Sequence, residues 1–409
     1  MKRYLFFIMS VLLIFSSCSD NEYSNDGILP KTNAEKTIFI YMPWTGDNNN
    51  LYNYFINNIN DVESAIVNQN GLGNQNLMIF ISQSDIKGSL IKVRYENGKC
   101  VHDTIRTYEN TEAKNLKLNT SHWITYVLNQ VKSYAPADTF AMIIGCHGMG
   151  WIKTSDYSKS SLSKSISFFD NKDSEPLTRS TRWFGGSAEM TDISTLAEGV
   201  SSSSIGKLQY LMFDDCYLSN VETAYYLRNI TNYIIACPTE IMVAGMPYSK
   251  IWTSLSANKP DYQSISDEFY KFYNAYEIKG TPYHYGTLGI TNCAEVDSMA
   301  KIMKEINTKF SFDTTLTGSL QILDGYTPTI FYDFGDYVRH LCKDETLLNK
   351  FEGQLTRMVP YMTHTDSYYS AINGAHPIKT FSGITISDPS QNSVATVGIQ
   401  GTSWYSATH

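Results

Sequence analysis

The residues best suited to chemistry are one histidine and one cysteine, each just past a short apolar run. Phe140-Ala141-Met142-Ile143-Ile144-Gly145 leads into Cys146-His147-Gly148-Met149-Gly150-Trp151. The glycines around this histidine let backbone approach a ligand closely. Gln209-Tyr210-Leu211-Met212-Phe213 leads into Asp214-Asp215-Cys216-Tyr217. Where a strand hands over to a helix, backbone N–H groups and the helix dipole favour the thiolate, the reactive form of cysteine. Taken singly, such a histidine is more often just a hydrogen-bonded loop residue. Such a cysteine is more often a small buried hydrophobe. Neighbouring parallel strands bring the two together, and a histidine beside a cysteine activates the thiol.

Two other cysteines compete for the role. Cys146 adjoins His147, but adjacent residues leaving a strand point to opposite sides. Cys237 ends another apolar run and is followed by Pro238, which supplies no N–H for an oxyanion. The acids before Cys216 also need a reason, because carboxylates near a thiolate raise its pKa. Either one of them enters a pocket that takes a substrate cation, or Asp214 and Asp215 cap the following helix.

Alternating elements must carry these residues. Runs at 37–42, 76–82, 140–145, 209–213 and 233–237 read as buried strands. Helical spacing marks 51–67, 121–134 and 218–228. Residues 90–95 and 101–107 predict a hairpin around Asn97-Gly98. Strands alternating with helices predict an α/β fold with a mostly parallel sheet covered on both faces and sites at the carboxyl ends of its strands. Residues 153–187 are serine-rich and basic, contain Pro176 and Gly185-Gly186, and read as a long exposed loop. Beyond 295 the rhythm changes to helices at 296–310, 332–341 and 347–362 and a late strand at 383–386. The expected division is a catalytic domain over 37–295 and a smaller C-terminal subdomain over 296–409.

The N-terminus reads as an address. Lys2 and Arg3 precede an apolar run at 4–15 and then Ser16-Ser17-Cys18. This resembles a lipoprotein signal peptide with Cys18 as the lipid acceptor, the alternative being a plain cleaved signal with an incidental cysteine. The run is shorter than the ~20 residues of a spanning helix. Residues 19–36 are polar and form a tether. The expectation is export across the inner membrane and a lipid anchor at the outer membrane or cell surface. The 409 residues, 42% hydrophobic and 18% charged, suit a globular catalytic domain with an appendage. The net charge is -8, and the first 17 residues carry two of the 32 basic residues and no acid. An acidic chain without a basic stripe argues against a nucleic-acid partner and suits a cationic substrate. Seven cysteines without a Cys-x-x-Cys pair argue against a zinc ribbon and a disulfide scaffold, and no metal site is expected.

The two strand endings resemble those of the clostripain family of cysteine peptidases, in the caspase-like clan. Its signature is an apolar strand then His-Gly, and a later apolar strand then Asp-x-Cys. Ile143-Ile144-Gly145-Cys146-His147-Gly148 and Leu211-Met212-Phe213-Asp214-Asp215-Cys216 supply both. Supporting stretches are Tyr41-Met42-Pro43-Trp44-Thr45-Gly46-Asp47, Met190-Thr191-Asp192-Ile193, Val221-Glu222-Thr223-Ala224, Gly245-Met246-Pro247-Tyr248 and Gly383-Ile384-Thr385-Ile386. The likeness covers most of 37–390. It implies a caspase-like α/β/α sandwich and cleavage of peptide bonds after Arg or Lys. It also implies His147 as acid and base and Cys216 as nucleophile, with no essential third member. The N–H groups of Gly148 and Cys216 would form the oxyanion hole. Asp214 matches the position that pairs with the substrate's basic side chain. Members are often activated by a cut between the dyad residues, where Lys159, Lys164, Arg179 and Arg182 are candidate sites. The chemistry needs no cofactor. Some members depend on calcium; this chain shows no EF-hand or other calcium pattern, which leaves a calcium requirement open. It departs from the family at Asp215 and at Tyr217-Leu218. The competing readings are an inactive surface-binding lipoprotein on the same fold and a different cysteine hydrolase. The expected partners are peptides or proteins with Arg or Lys, acted on by a monomer.

Overall fold

The computed structural model describes residues 34–43, 51–84, 86–109, 117–157 and 190–409. Nine strands form the central sheet. They are β1 (Ala34–Met42), β2 (Gln75–Ser84), β3 (Lys87–Glu96), β4 (Lys99–Glu109), β5 (Ala137–Gly145), β6 (Leu211–Asp214), β7 (Tyr233–Ala236), β8 (Thr287–Asn292) and β9 (Tyr361–His364). Their order is β9-β8-β7-β6-β5-β1-β2-β3-β4. The centre is parallel, from β2 through β1, β5 and β6 to β7. Both edges are antiparallel. The central strands are buried along their length, as their unbroken apolar runs require: Ile38 to Met42 and Leu77 to Ile81 are all at most 2% exposed.

Helices cover both faces. One group is α1 (Leu51–Asn68), α5 (Tyr248–Ser256) and α6 (Tyr262–Tyr273), joined by α1–α5 and α5–α6 contacts. The other runs through α2 (Ser121–Tyr134), α3 (Ile193–Ser201), α4 (Val221–Leu227), α7 (Val296–Lys309) and α9 (Glu345–Met358), each touching the next. Between α7 and α9 lies α8 (Phe334–Leu341). This is the α/β/α sandwich of the caspase-like fold. The chain order reverses at β1, which has β2 on one side and β5 on the other. Ligand sites form at the carboxyl ends of strands around such a reversal.

The hairpin is where the sequence puts it. Asn97 and Gly98 both have positive φ (50° and 80°), as a two-residue turn between twisted strands needs. Three differences matter. The run at 347–362 is helical only to Met358, because Pro360 pushes Val359 out of helical backbone (φ -122°, ψ 72°). Residues 361–364 then become an edge strand, so the segment expected as a C-terminal subdomain contributes β9 to the sheet. The described residues from Ala34 to His409 fall in one compact unit. Finally, the helix after Cys216 starts at Val221 rather than at 218, with Asn220 as its N-cap.

Candidate active site

Adjacent strands deliver the histidine and the cysteine to one edge. β5 pairs parallel with β6, and Gly145 is opposite Asp214. His147 and Cys216 therefore each lie two residues beyond one paired position. The loops that follow are in direct contact. A Cβ on Gly148 would stand 2.2 Å from the Cys216 carbonyl oxygen and 2.3 Å from Leu218 Cδ2, so no other residue fits without moving a loop. A second tie is the Cys146 N–H, which donates to Asp215 Oδ1 at 2.6 Å. A third holds the histidine loop from the far side. Trp151 Nε1–H donates to Ser387 Oγ at 2.9 Å, and the Ser387 N–H donates to Glu222 Oε1 at 2.8 Å.

Cys216 is on a turn, which corrects the expectation of a helix start. β6 ends at Asp214, and α4 begins five residues after the cysteine. The Ile241 N–H donates to Cys216 Sγ at 3.4 Å. Tyr217 adopts φ +60°, a left-handed backbone. Its N–H donates to Thr239 O at 3.1 Å, and Asn220 Nδ2–H donates to its carbonyl at 2.7 Å. Cys216 is buried, at 1% exposure, and His147 is half-buried.

Both acids before the cysteine are fully buried. Asp214 Oδ1 accepts the Met246 N–H at 2.8 Å, and Oδ2 accepts the Tyr248 hydroxyl at 3.0 Å. Asp215 holds the Cys146 N–H. Neither caps α4. That reading fails because Asn220 Oδ1 already accepts the Thr223 N–H at 2.7 Å. The rival Cys237 follows β7 and is buried. Burial first, and then the charges of Asp214 and Asp215, push its thiol well above the ordinary range, which disfavours its thiolate. Cys146 is also completely buried. Cys18, Lys159, Lys164, Arg179 and Arg182 lie outside the described residues. Sequence reasoning missed Glu240, whose Oε1 accepts the Tyr217 hydroxyl at 2.7 Å. No local pattern marks it, because its partners are distant in the chain.

The sequence profile of the clostripain family matches residues 41–346. The chain belongs to the clostripain family. As a clostripain-family member it is a cysteine peptidase. Among solved structures it is similar to a secreted cysteine protease of Bacteroides thetaiotaomicron, "iotapain". That protein is 42% identical over 92% of this chain and 99% of its own, with a TM-score of 0.79. It is also similar to a clostripain from Bacteroides thetaiotaomicron, in complex with the peptide inhibitor BTN-VLTK-AOMK. The identity there is 48% over 55% of this chain and 96% of that one, with a TM-score of 0.52. An inactive zymogen protease from Parabacteroides distasonis shares the fold at 23% identity and a TM-score of 0.73, over 92% of this chain and 99% of its own. No curated protein sequence matches this chain.

Proposed function

We propose that this clostripain-family peptidase cleaves peptide bonds after Arg or Lys with Cys216 as nucleophile and His147 as acid and base. The observation that carries the reading is the pairing of β5 with β6, with Gly145 opposite Asp214, which brings the histidine and cysteine loops together at one sheet edge. In this mechanism His147 takes the Cys216 proton and the thiolate attacks the scissile carbonyl carbon. The Gly148 and Cys216 N–H groups hold the resulting oxyanion. His147 then protonates the departing amine, leaving a thioester on Cys216. A water that gives its proton to His147 hydrolyses that thioester and restores the thiol.

Specificity for a basic residue is assigned to Asp214, two residues before the nucleophile. The inhibitor carried by the Bacteroides thetaiotaomicron clostripain ends its peptide in lysine, which supports a cation-binding site here. Asp215, bound to the Cys146 N–H, keeps the two loops together instead. Activation by a cut in the 153–187 loop fits the buried thiol of the uncut chain: at 1% exposure, Cys216 needs a rearrangement before a peptide reaches it. Arg179 and Arg182 are the preferred cutting sites. Export is supported by the N-terminal pattern and by the secreted relative, and Cys18 is the proposed anchor.

The test is cleavage of a positional peptide library by the purified protein, with and without calcium. Cuts confined to bonds after Arg and Lys support the reading. Cuts after acidic or apolar residues refute the specificity.

A further inference from the structure

The nucleophile's neighbour has a backbone that tyrosine does not adopt by preference. At φ +60°, Tyr217 is in the left-handed region, where a non-glycine residue persists only if its surroundings impose it. Three things impose it. Its N–H donates to Thr239 O. Its ring stacks on Phe331, with centroids 5.0 Å apart and planes at 13°. Its hydroxyl donates to Glu240 Oε1 at 2.7 Å.

Glu240 sits between the two residues that grip the cysteine turn. Thr239 before it accepts from Tyr217, and Ile241 after it donates to Cys216 Sγ. Its own side chain reaches a third element, the hairpin of Ser367–Ser370 and Gly374–Pro377. There Oε1 also accepts the Ser370 hydroxyl at 2.9 Å, and Oε2 accepts the Ala371 N–H at 3.0 Å. One buried carboxylate thus takes donors from the residue beside the nucleophile and from a hairpin more than 100 residues away.

We propose that Glu240 is a positioning residue for the peptidase reaction, holding the Cys216 turn against the 367–377 hairpin through the Tyr217 hydroxyl. It acts by keeping Tyr217 left-handed, which fixes the direction of the preceding Cys216 side chain and N–H. The proposal rests on the assignment of Cys216 as nucleophile.

The test is a double-mutant cycle with Tyr217→Phe and Glu240→Gln. Tyr217→Phe keeps the ring and removes one hydroxyl, so it preserves the stacked core. It is expected to lower kcat about tenfold and leave KM within about twofold, because misalignment acts on the transition state. Glu240→Gln is expected to lose as much or more, and the double variant no more than Glu240→Gln alone. Ser370→Ala, which loosens the hairpin end of the same link, is expected to lower kcat by a smaller factor. If Glu240→Gln does not fold, Tyr217→Phe and Ser370→Ala still decide. An unchanged kcat in Tyr217→Phe, or fully additive losses in the cycle, overturns the proposal. Turnover surviving in Cys216→Ala sinks the nucleophile assignment and this proposal with it. Turnover lost in Cys216→Ala but intact in Tyr217→Phe sinks this proposal alone.

Discussion

Gly148→Ala should disable the enzyme without unfolding it. The added Cβ would lie 2.2 Å from the Cys216 carbonyl oxygen, more than an ångström inside the 3.4 Å at which ordinary contact begins. The clash with Leu218 Cδ2 at 2.3 Å is relievable by a new rotamer, but the one with Cys216 is against backbone. The histidine and cysteine loops must therefore part by about the length of that overlap. A misplacement of about 1 Å costs on the order of 100-fold in rate. Loss of one oxyanion donor, the role assigned to the Gly148 N–H, costs about 100- to 1,000-fold. The expected result is a fall of at least ~100-fold in kcat/KM, most of it in kcat. The assay is initial-rate cleavage of a fluorogenic peptide ending in lysine, with a thermal melt to show that the fold survives. Gly318→Ala is the control, since no atom lies within 4 Å of its added Cβ, and its rate should match wild type. A Gly148→Ala enzyme with nearly full kcat would refute the claim that contact between the two loops sets the catalytic geometry.

Further outcomes follow from the same site. Asp214→Asn should lower cleavage after Lys and Arg by at least ~100-fold, since losing one partner of a buried ion pair costs about 3–5 kcal/mol. Iodoacetamide alkylation of the activated enzyme should change little, and the same loss in Asp215→Asn instead would move the role by one residue. Thermal stability should fall as pH rises from 5 to 9. Burial first, then Asp388, pushes Glu222 up to about 8, and burial pushes Asp388 up to about 7, while Glu222 Oε2 and both Asp388 oxygens have no partner among the described residues. A carboxyl whose folded pKa is raised holds its proton in the folded state alone, so its stabilisation is complete below the unfolded pKa and is lost as pH climbs through the folded one. Glu222→Gln should flatten part of that fall, and an unchanged melting curve between pH 5 and 9 would contradict it. On a denaturing gel, wild type should give two fragments and Cys216→Ala one band. A single full-length band in a fully active wild type would dismiss activation by cutting.

What the sequence reveals of this site, and what it hides, divides along physical lines. β1, β2, β5 and β7 are legible because they are buried on both faces, so their apolar runs are unbroken. β8 is obscured by Gly289, which is required there because a Cβ would meet the Gly383 carbonyl oxygen at 1.8 Å. β9 is a half-exposed edge strand with no apolar run to mark it. His147 and Cys216 are visible because each follows a buried strand in a distinctive setting. The turn around Cys216 is not. Nothing local says that a tyrosine takes φ +60°, or that Asn220 rather than an aspartate caps the next helix. Glu240 is invisible for a different reason. Its partners Tyr217 and Ser370 are 23 and 130 residues away, and only the folded chain brings them together.

Cys216, activated by His147, is the proposed nucleophile of a peptidase that selects basic residues. The most direct measurement is covalent labelling with a biotinylated peptide acyloxymethyl ketone ending in lysine, with the modified cysteine located by mass spectrometry of the digested protein. Label on Cys216 is the expected result, lost in Cys216→Ala, strongly reduced in His147→Ala and retained in Cys146→Ala. Label on Cys146 or Cys237, or undiminished labelling of Cys216→Ala, would contradict the account.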